Sequence, residues 1–100
     1  MIGIVTLHIY FDVAQEKQDE FVSLYWDKYV PAIRIQEGFI QTTLFRSLEN
    51  QDKFEIDIYF TSEPLRQKWA NGPEHQETWP LIEAVVRKIT WHGYEKIVQN

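Results

Sequence analysis

Residues 54–64 read Phe54-Glu55-Ile56-Asp57-Ile58-Tyr59-Phe60-Thr61-Ser62-Glu63-Pro64, and this stretch decides the fold. Phe54, Ile56, Ile58 and Phe60 alternate with Glu55, Asp57 and Tyr59, the period of two that gives a β-strand one apolar and one mixed face. Ser62-Glu63-Pro64 then starts a helix, with Ser as N-cap and Pro in the first turn. Upstream, the short polar turn Glu49-Asn50-Gln51-Asp52 joins this strand to another over Phe39–Leu48, so the two form a hairpin. At the other end of the chain, Ile2–Phe11 is rich in β-branched and aromatic residues and reads as a further strand. Its Val5, Leu7, Ile9 and Phe11 share one face, and Ile4, Thr6, His8 and Tyr10 the other.

Helices fill the intervals. From about Ala14, Phe21, Leu24, Tyr25, Lys28, Ala32 and Ile33 recur at three- and four-residue spacing, with Glu16, Asp19 and Glu20 near the positive N-terminal end. Pro31 predicts a kink or restart near Val30, and Glu37-Gly38 a stop with Gly in the left-handed position. The helix begun at Ser62 is cut short by Asn71-Gly72-Pro73. Another then runs from Pro73 to about Arg87, and a last strand spans Ile89–Val98. The order is β-α-β-β-α-β. An α+β, ferredoxin-like plait follows: a four-stranded antiparallel sheet in the order 4-1-3-2, with the helices on one face. The opposite face (Thr6, His8, Tyr10, Glu55, Asp57, Tyr59, Thr90, His92, Tyr94) is too aromatic for plain solvated surface. A second copy of the same sheet is the simplest cover, since two-fold homodimers are the commonest oligomers.

Composition narrows the function. The 100 residues, 44% of them hydrophobic, suit one domain over residues 1–100 that buries about two thirds of its unfolded surface. Ten Lys+Arg against fifteen Asp+Glu give a net charge of −5, which argues against nucleic acid and against an anionic membrane surface as partners. The absence of Cys excludes disulfides, thiolate zinc sites and cysteine nucleophiles. No apolar run is long enough to span a bilayer, and no basic segment precedes the N-terminal apolar stretch, so a soluble, cytoplasmic protein is expected. Isolated glycines rule out a phosphate-cradling loop, and Ser23, Ser47 and Ser62 lack the elbow of an acyl-transfer nucleophile.

Chemistry concentrates in Trp69-Ala70-Asn71-Gly72-Pro73-Glu74-His75-Gln76-Glu77-Thr78-Trp79. His75, Trp79, Ile82 and Val86 lie at i, i+4, i+7 and i+11, on the helix face that looks at the sheet. The break at Asn71-Gly72-Pro73 opens a cleft beside His75, with Trp69 ending the preceding helix there. Two indoles and one imidazole could bind a flat aromatic molecule and take a proton from it. The bland alternative is a helix-start histidine whose ring is satisfied by a backbone carbonyl. Ile9 and Phe60, on the helix-facing side of their strands, complete the expected substrate-binding set with Trp79. On the other face, strand order aligns His8, Asp57 and His92. Two His and a carboxylate can ligate iron, but a polar network inside a dimer interface is the favoured reading, and no metal is expected. Glu55 and Asp57 read as solvated or paired, Arg46 as a surface cation, and Trp26 and Trp91 as core or interface aromatics.

Over nearly its whole length the chain resembles the antibiotic biosynthesis monooxygenase (ABM) superfamily of dimeric α+β barrels. The resemblance rests on the element order, on Glu37-Gly38-Phe39, and on Ser62-Glu63-Pro64-Leu65-Arg66-Gln67-Lys68-Trp69 followed by Pro73-Glu74-His75. It implies a homodimer whose two sheets form a barrel, with a pocket between sheet and helices in each subunit. Relatives include oxygenases without cofactor that oxidise anthrones or quinols with O₂, and haem-degrading enzymes. The family's helical Trp maps to Trp69, and its following Tyr or His to His75. There is no Asn on the first strand, where active relatives often have one; Thr6 and His8 are the nearest polar residues. Haem-degrading members place their axial His further beyond the Trp. Three functions stay open, in this order: a monooxygenase without cofactor, with Trp69 and His75 as catalytic residues; a dimeric module binding a small aromatic or hydrophobic ligand; and a haem-binding protein.

Overall fold

The computed structural model describes residues 3–98, so Ile2 lies outside the described residues. Four strands, β1 (Val5–Asp12), β2 (Phe39–Arg46), β3 (Lys53–Phe60) and β4 (Lys88–Glu95), pair antiparallel in the order β2-β3-β1-β4. This is the expected plait, with its sheet open in the single chain. The helix-facing side chains of β1 and β3 form the core: Leu7, Ile9, Phe11, Phe54, Ile56, Ile58 and Phe60 are all buried. Burial of an aliphatic or aromatic side chain of this size contributes about 1.5–3 kcal/mol, so these two strands anchor the domain.

The first helical segment differs from expectation in an instructive way. α1 (Gln18–Leu24) continues through a π-helical turn, Tyr25–Tyr29, into α2 (Val30–Ile33). Its buried stripe is Phe21, Tyr25, Tyr29 and Ile33; Lys28 is exposed. A strict four-residue spacing drifts by about 40° per step on an ideal α-helix. The wider π turn absorbs that drift and keeps all four on one side. The Val30 N–H accordingly reaches back five residues to the Tyr25 carbonyl. Pro31, which has no N–H to place, then falls in the first turn of α2. The disturbance thus falls one turn before the predicted site.

The helix ends at Ile33, so Gly38 is not its C-terminal cap. Gly38 instead takes φ +83° in the turn before β2, and its carbonyl accepts the Thr61 N–H at 2.8 Å. α3 (Glu63–Ala70) is capped by Ser62, whose Oγ accepts the Leu65 N–H at 3.4 Å, and α4 (Pro73–Glu83) follows the expected break. α4 stops four residues before Arg87, whose N–H is needed to reach the Asp12 carbonyl at 2.7 Å as the chain enters β4. β2 and β4 are also shorter than predicted, ending at Arg46 and Glu95. β4 stops where its partner β1 begins, Glu95 pairing with Val5, and β2 stops at Arg46 opposite Phe54, one residue into β3. Among the described residues no helix is long and apolar enough to cross a membrane.

Candidate functional site

The break between α3 and α4 opens a cavity of about 180 Å³ between helices and sheet. Leu7 and Ile9 of β1 form its floor, Trp69 and Ala70 of α3 and His75 and Trp79 of α4 its walls, and Arg66 and Trp91 its rim. His75 is held between the indoles. Its ring lies edge-on to Trp69 at 4.7 Å (79° between planes) and stacks on Trp79 at 5.4 Å (16°). Trp69 is only 3% exposed and backs onto Phe60 at 5.7 Å and Tyr29 at 6.3 Å, which fixes its plane.

His75 Nδ1 is buried and has no hydrogen-bond partner among the described residues. The carbonyl-satisfied alternative therefore fails at that atom. Burial lowers the His75 pKa; Glu83 opposes the shift and Arg66 adds to it. The ring is thus kept neutral near neutral pH, with a free lone pair or N–H at Nδ1. Arg66 itself is pinned by two hydrogen bonds that it donates to Glu63, at 2.7 and 2.8 Å, and this pairing holds the Glu63 carboxyl below its ordinary range. The cavity thus joins three indoles, one neutral imidazole and one fixed guanidinium. It can hold a flat apolar molecule, accept a proton from it and face the resulting anion with a cation.

The expected residues are distributed unevenly. Trp69, His75, Trp79 and Ile9 line the cavity together; Phe60 is fully buried behind Trp69 and reaches it only through that indole. Trp79 is half-buried rather than a core residue, its ring tilted against Phe11 at 6.1 Å. Val86 is likewise only partly buried, and Val85 takes the core position. Two contributors were not foreseen. Trp91 is paired with Ile9 across β4 and β1, so register puts it on the cavity face. Arg66 precedes Trp69 by one helical turn and so shares its face. Trp26 is exposed, and Arg46 lies over the Phe54 ring at 5.1 Å, away from the cavity.

The open sheet face carries a second grouping. His8 stands opposite Asp57 on β3 and opposite His92 on β4, as expected. Its imidazole, however, lies between two carboxylates: Nδ1 is 3.9 Å from Glu55 and Nε2 3.7 Å from Asp57. His92 turns to Tyr10 and Tyr94 instead. Glu55 is more than a solvated acid, because the neighbouring Asp57 carboxyl, together with burial, pushes its carboxyl up to about 7. The two-residue spacing on one strand was the available signal. A larger depression of about 430 Å³, with Thr6, His8, Gln41, Tyr59 and Tyr94 among its walls, adjoins this grouping.

Plait topology, with an aromatic, imidazole-bearing cavity between sheet and helices, defines an α+β protein of the ferredoxin-like class. Residues 4–79 match the sequence profile of the antibiotic biosynthesis monooxygenase family, and the chain belongs to it. Solved structures with this fold include a conserved protein from Methanosarcina mazei Go1 (18% identity, TM-score 0.86, covering 96% of this chain and 95% of that one). Another is SnoaB, a cofactor-independent oxygenase from Streptomyces nogalater (16% identity, TM-score 0.86, covering 97% and 96%). No curated protein sequence matches the chain.

Proposed function

We propose that the chain is a monooxygenase that needs no cofactor and oxidises a small aromatic substrate, a phenol or quinol of one or two rings, with O₂. The observation that carries this reading is the neutral His75, with Nδ1 unpartnered, held between two indoles at the wall of a largely apolar cavity. Size sets the substrate class. An apolar cavity of about 150 Å³ holds a benzene ring, and drug-sized ligands use roughly 300–1,000 Å³. At about 180 Å³ the cavity suits one ring, or two with part of the second toward the Arg66–Trp91 rim, and is too small for a porphyrin.

In the proposed reaction the aromatic ring is bound against Trp69 and Trp79 with its hydroxyl toward His75. The imidazole takes the hydroxyl proton as general base. The phenolate that forms is stabilised by the imidazolium and by Arg66, both part of the cavity lining. An electron-rich phenolate reduces O₂ directly. For a phenol, a ring C–H becomes C=O with one oxygen atom and the hydroxyl carbon becomes the second C=O of a quinone. The other oxygen atom leaves as water with the ring hydrogen and the hydroxyl hydrogen, so the substrate supplies all the electrons. SnoaB is described as cofactor-independent, which supports the same class of chemistry here. The dimer belongs to the same proposal: a second copy covers the open sheet face, where Phe45 and Tyr94 stand exposed. Light scattering at micromolar concentration is expected to give twice the chain mass, and a monomer mass refutes the dimer.

The test of the reaction is O₂ uptake by the purified protein on hydroquinones, naphthoquinols and anthrones, with chelator present and no flavin added. Uptake above autoxidation on the smaller substrates supports the reading. Tight binding of the same aromatics without uptake replaces it with a ligand-binding module.

A further inference from the structure

We propose that His8, Glu55 and Asp57 form a binding site for a divalent transition-metal ion of the Zn²⁺ class on the sheet face opposite the helices. Antiparallel register brings the three together: His8 of β1 pairs with Asp57 of β3, and Glu55 lies two residues along β3 on the same face. One ligating atom from each falls within 4.8 Å of the others. Metal bonds of about 2.1 Å set neighbouring ligand atoms roughly 3–3.5 Å apart, so the group closes on an ion through side-chain shifts of about an ångström. The strands need not move.

Two independent features point to a cation. First, His8 Nε2 and Asp57 Oδ1 are both buried with no hydrogen-bond partner among the described residues. Unsatisfied buried polar atoms are costly, and metal coordination satisfies both an imidazole lone pair and a carboxylate oxygen. Second, no Lys or Arg among the described residues pairs with either carboxylate; the group beside both is the His8 imidazole. Two carboxyl groups side by side on one strand, only partly exposed and without a fixed cation, offer oxygen ligands that a divalent ion can bridge. The donor set chooses the metal. One imidazole nitrogen with two carboxylate oxygens suits Zn²⁺, Mn²⁺ or Fe²⁺, whereas Mg²⁺ and Ca²⁺ prefer oxygen alone. Such an ion cross-links β1 to β3 at the middle of the sheet. It lies across the sheet from the His75 cavity and takes no part in the oxygenase chemistry, on the face that the proposed second copy covers.

The experiment uses the untagged protein, stripped with chelator and dialysed, titrated calorimetrically with Zn²⁺ alone and in parallel with Mg²⁺ alone. One Zn²⁺ per chain, a rise in melting temperature with Zn²⁺, and no response to Mg²⁺ are expected. His8→Ala and Asp57→Asn should each weaken Zn²⁺ binding by at least the roughly 10–100-fold that losing an outer-shell partner costs. His92→Ala, whose ring stands outside the group, should bind as the parent does. Asp57→Asn keeps side-chain shape, so it decides the matter if His8→Ala fails to fold. Absence of Zn²⁺ binding by the parent, equal binding of Mg²⁺, or Zn²⁺ binding that survives Asp57→Asn overturns the proposal.

Discussion

Trp69 and Trp79 flank the same imidazole but are embedded to different depths, and truncating them one at a time separates the two situations. Trp69 is 3% exposed, with Phe60, Tyr29 and His75 around it, whereas Trp79 is half-buried against Phe11 and His75. Truncating a fully buried Trp to Ala costs about 3–5 kcal/mol, since the surrounding side chains close only partly over the void. Trp69→Ala should fall in that range. Trp79→Ala removes a ring that is only partly buried and should cost less, about 2 kcal/mol. In a domain of this size each kcal/mol lowers the melting temperature by about 4–8 °C. Trp79→Ala should therefore melt roughly 8–16 °C below the parent, with Trp69→Ala lower still. Guanidinium unfolding at fixed protein concentration reads both, and fixing the concentration removes any contribution from association. A Trp79→Ala loss equal to or greater than that of Trp69→Ala would refute the depth assigned to α4 and the cavity wall built on it.

Other consequences are quickly checked. Gly38→Ala should destabilise by at least about 1 kcal/mol, because φ is +83° and the added Cβ would stand 2.6 Å from Leu65 Cδ1; thermal melting reads this. Ser62→Ala removes the α3 cap. The bond is long, so the cost should lie near the low end of the about 0.5–2 kcal/mol range, measured by chemical unfolding. Acid should expose His75. Burial lowers its folded pKa below the ordinary value of 6.5, so the unfolded chain binds more protons in the window beneath that value. Stability is then full above the window and falls as the pH drops through it. His75→Phe should flatten that part of the stability–pH curve, and an unchanged slope would contradict a buried neutral imidazole.

The sheet was readable because its strands alternate with period two and β3 does so without exception. Termini were not, since they depend on partners far along the chain. β4 stops where β1 begins, and α4 ends early to let Arg87 reach Asp12. The α1 stripe was half right: Phe21, Tyr25 and Ile33 were legible, but Tyr29 replaced Lys28 because a π turn leaves no clear mark in residue spacing. In the cavity, His75 and Trp69 stood out as local features beside a helix break. Trp91 needed the β1–β4 register, a tertiary fact, whereas Arg66 was within reach of the sequence through its one-turn spacing from Trp69. On the open face the His8–Asp57 pairing was legible from topology. The part played by Glu55 depends on side-chain direction, which register alone does not give.

The central claim is that His75 takes the substrate proton, and the most direct measurement compares binding with turnover in His75→Ala. The substrate is the hydroquinone or naphthoquinol that supports the fastest O₂ uptake in the parent, with binding followed anaerobically by tryptophan fluorescence. The expected result is binding within a few-fold of the parent, because the indole walls remain, and O₂ uptake reduced by the roughly 10²–10⁴-fold that a general base supplies. O₂ uptake that persists at the parent rate in His75→Ala would contradict it.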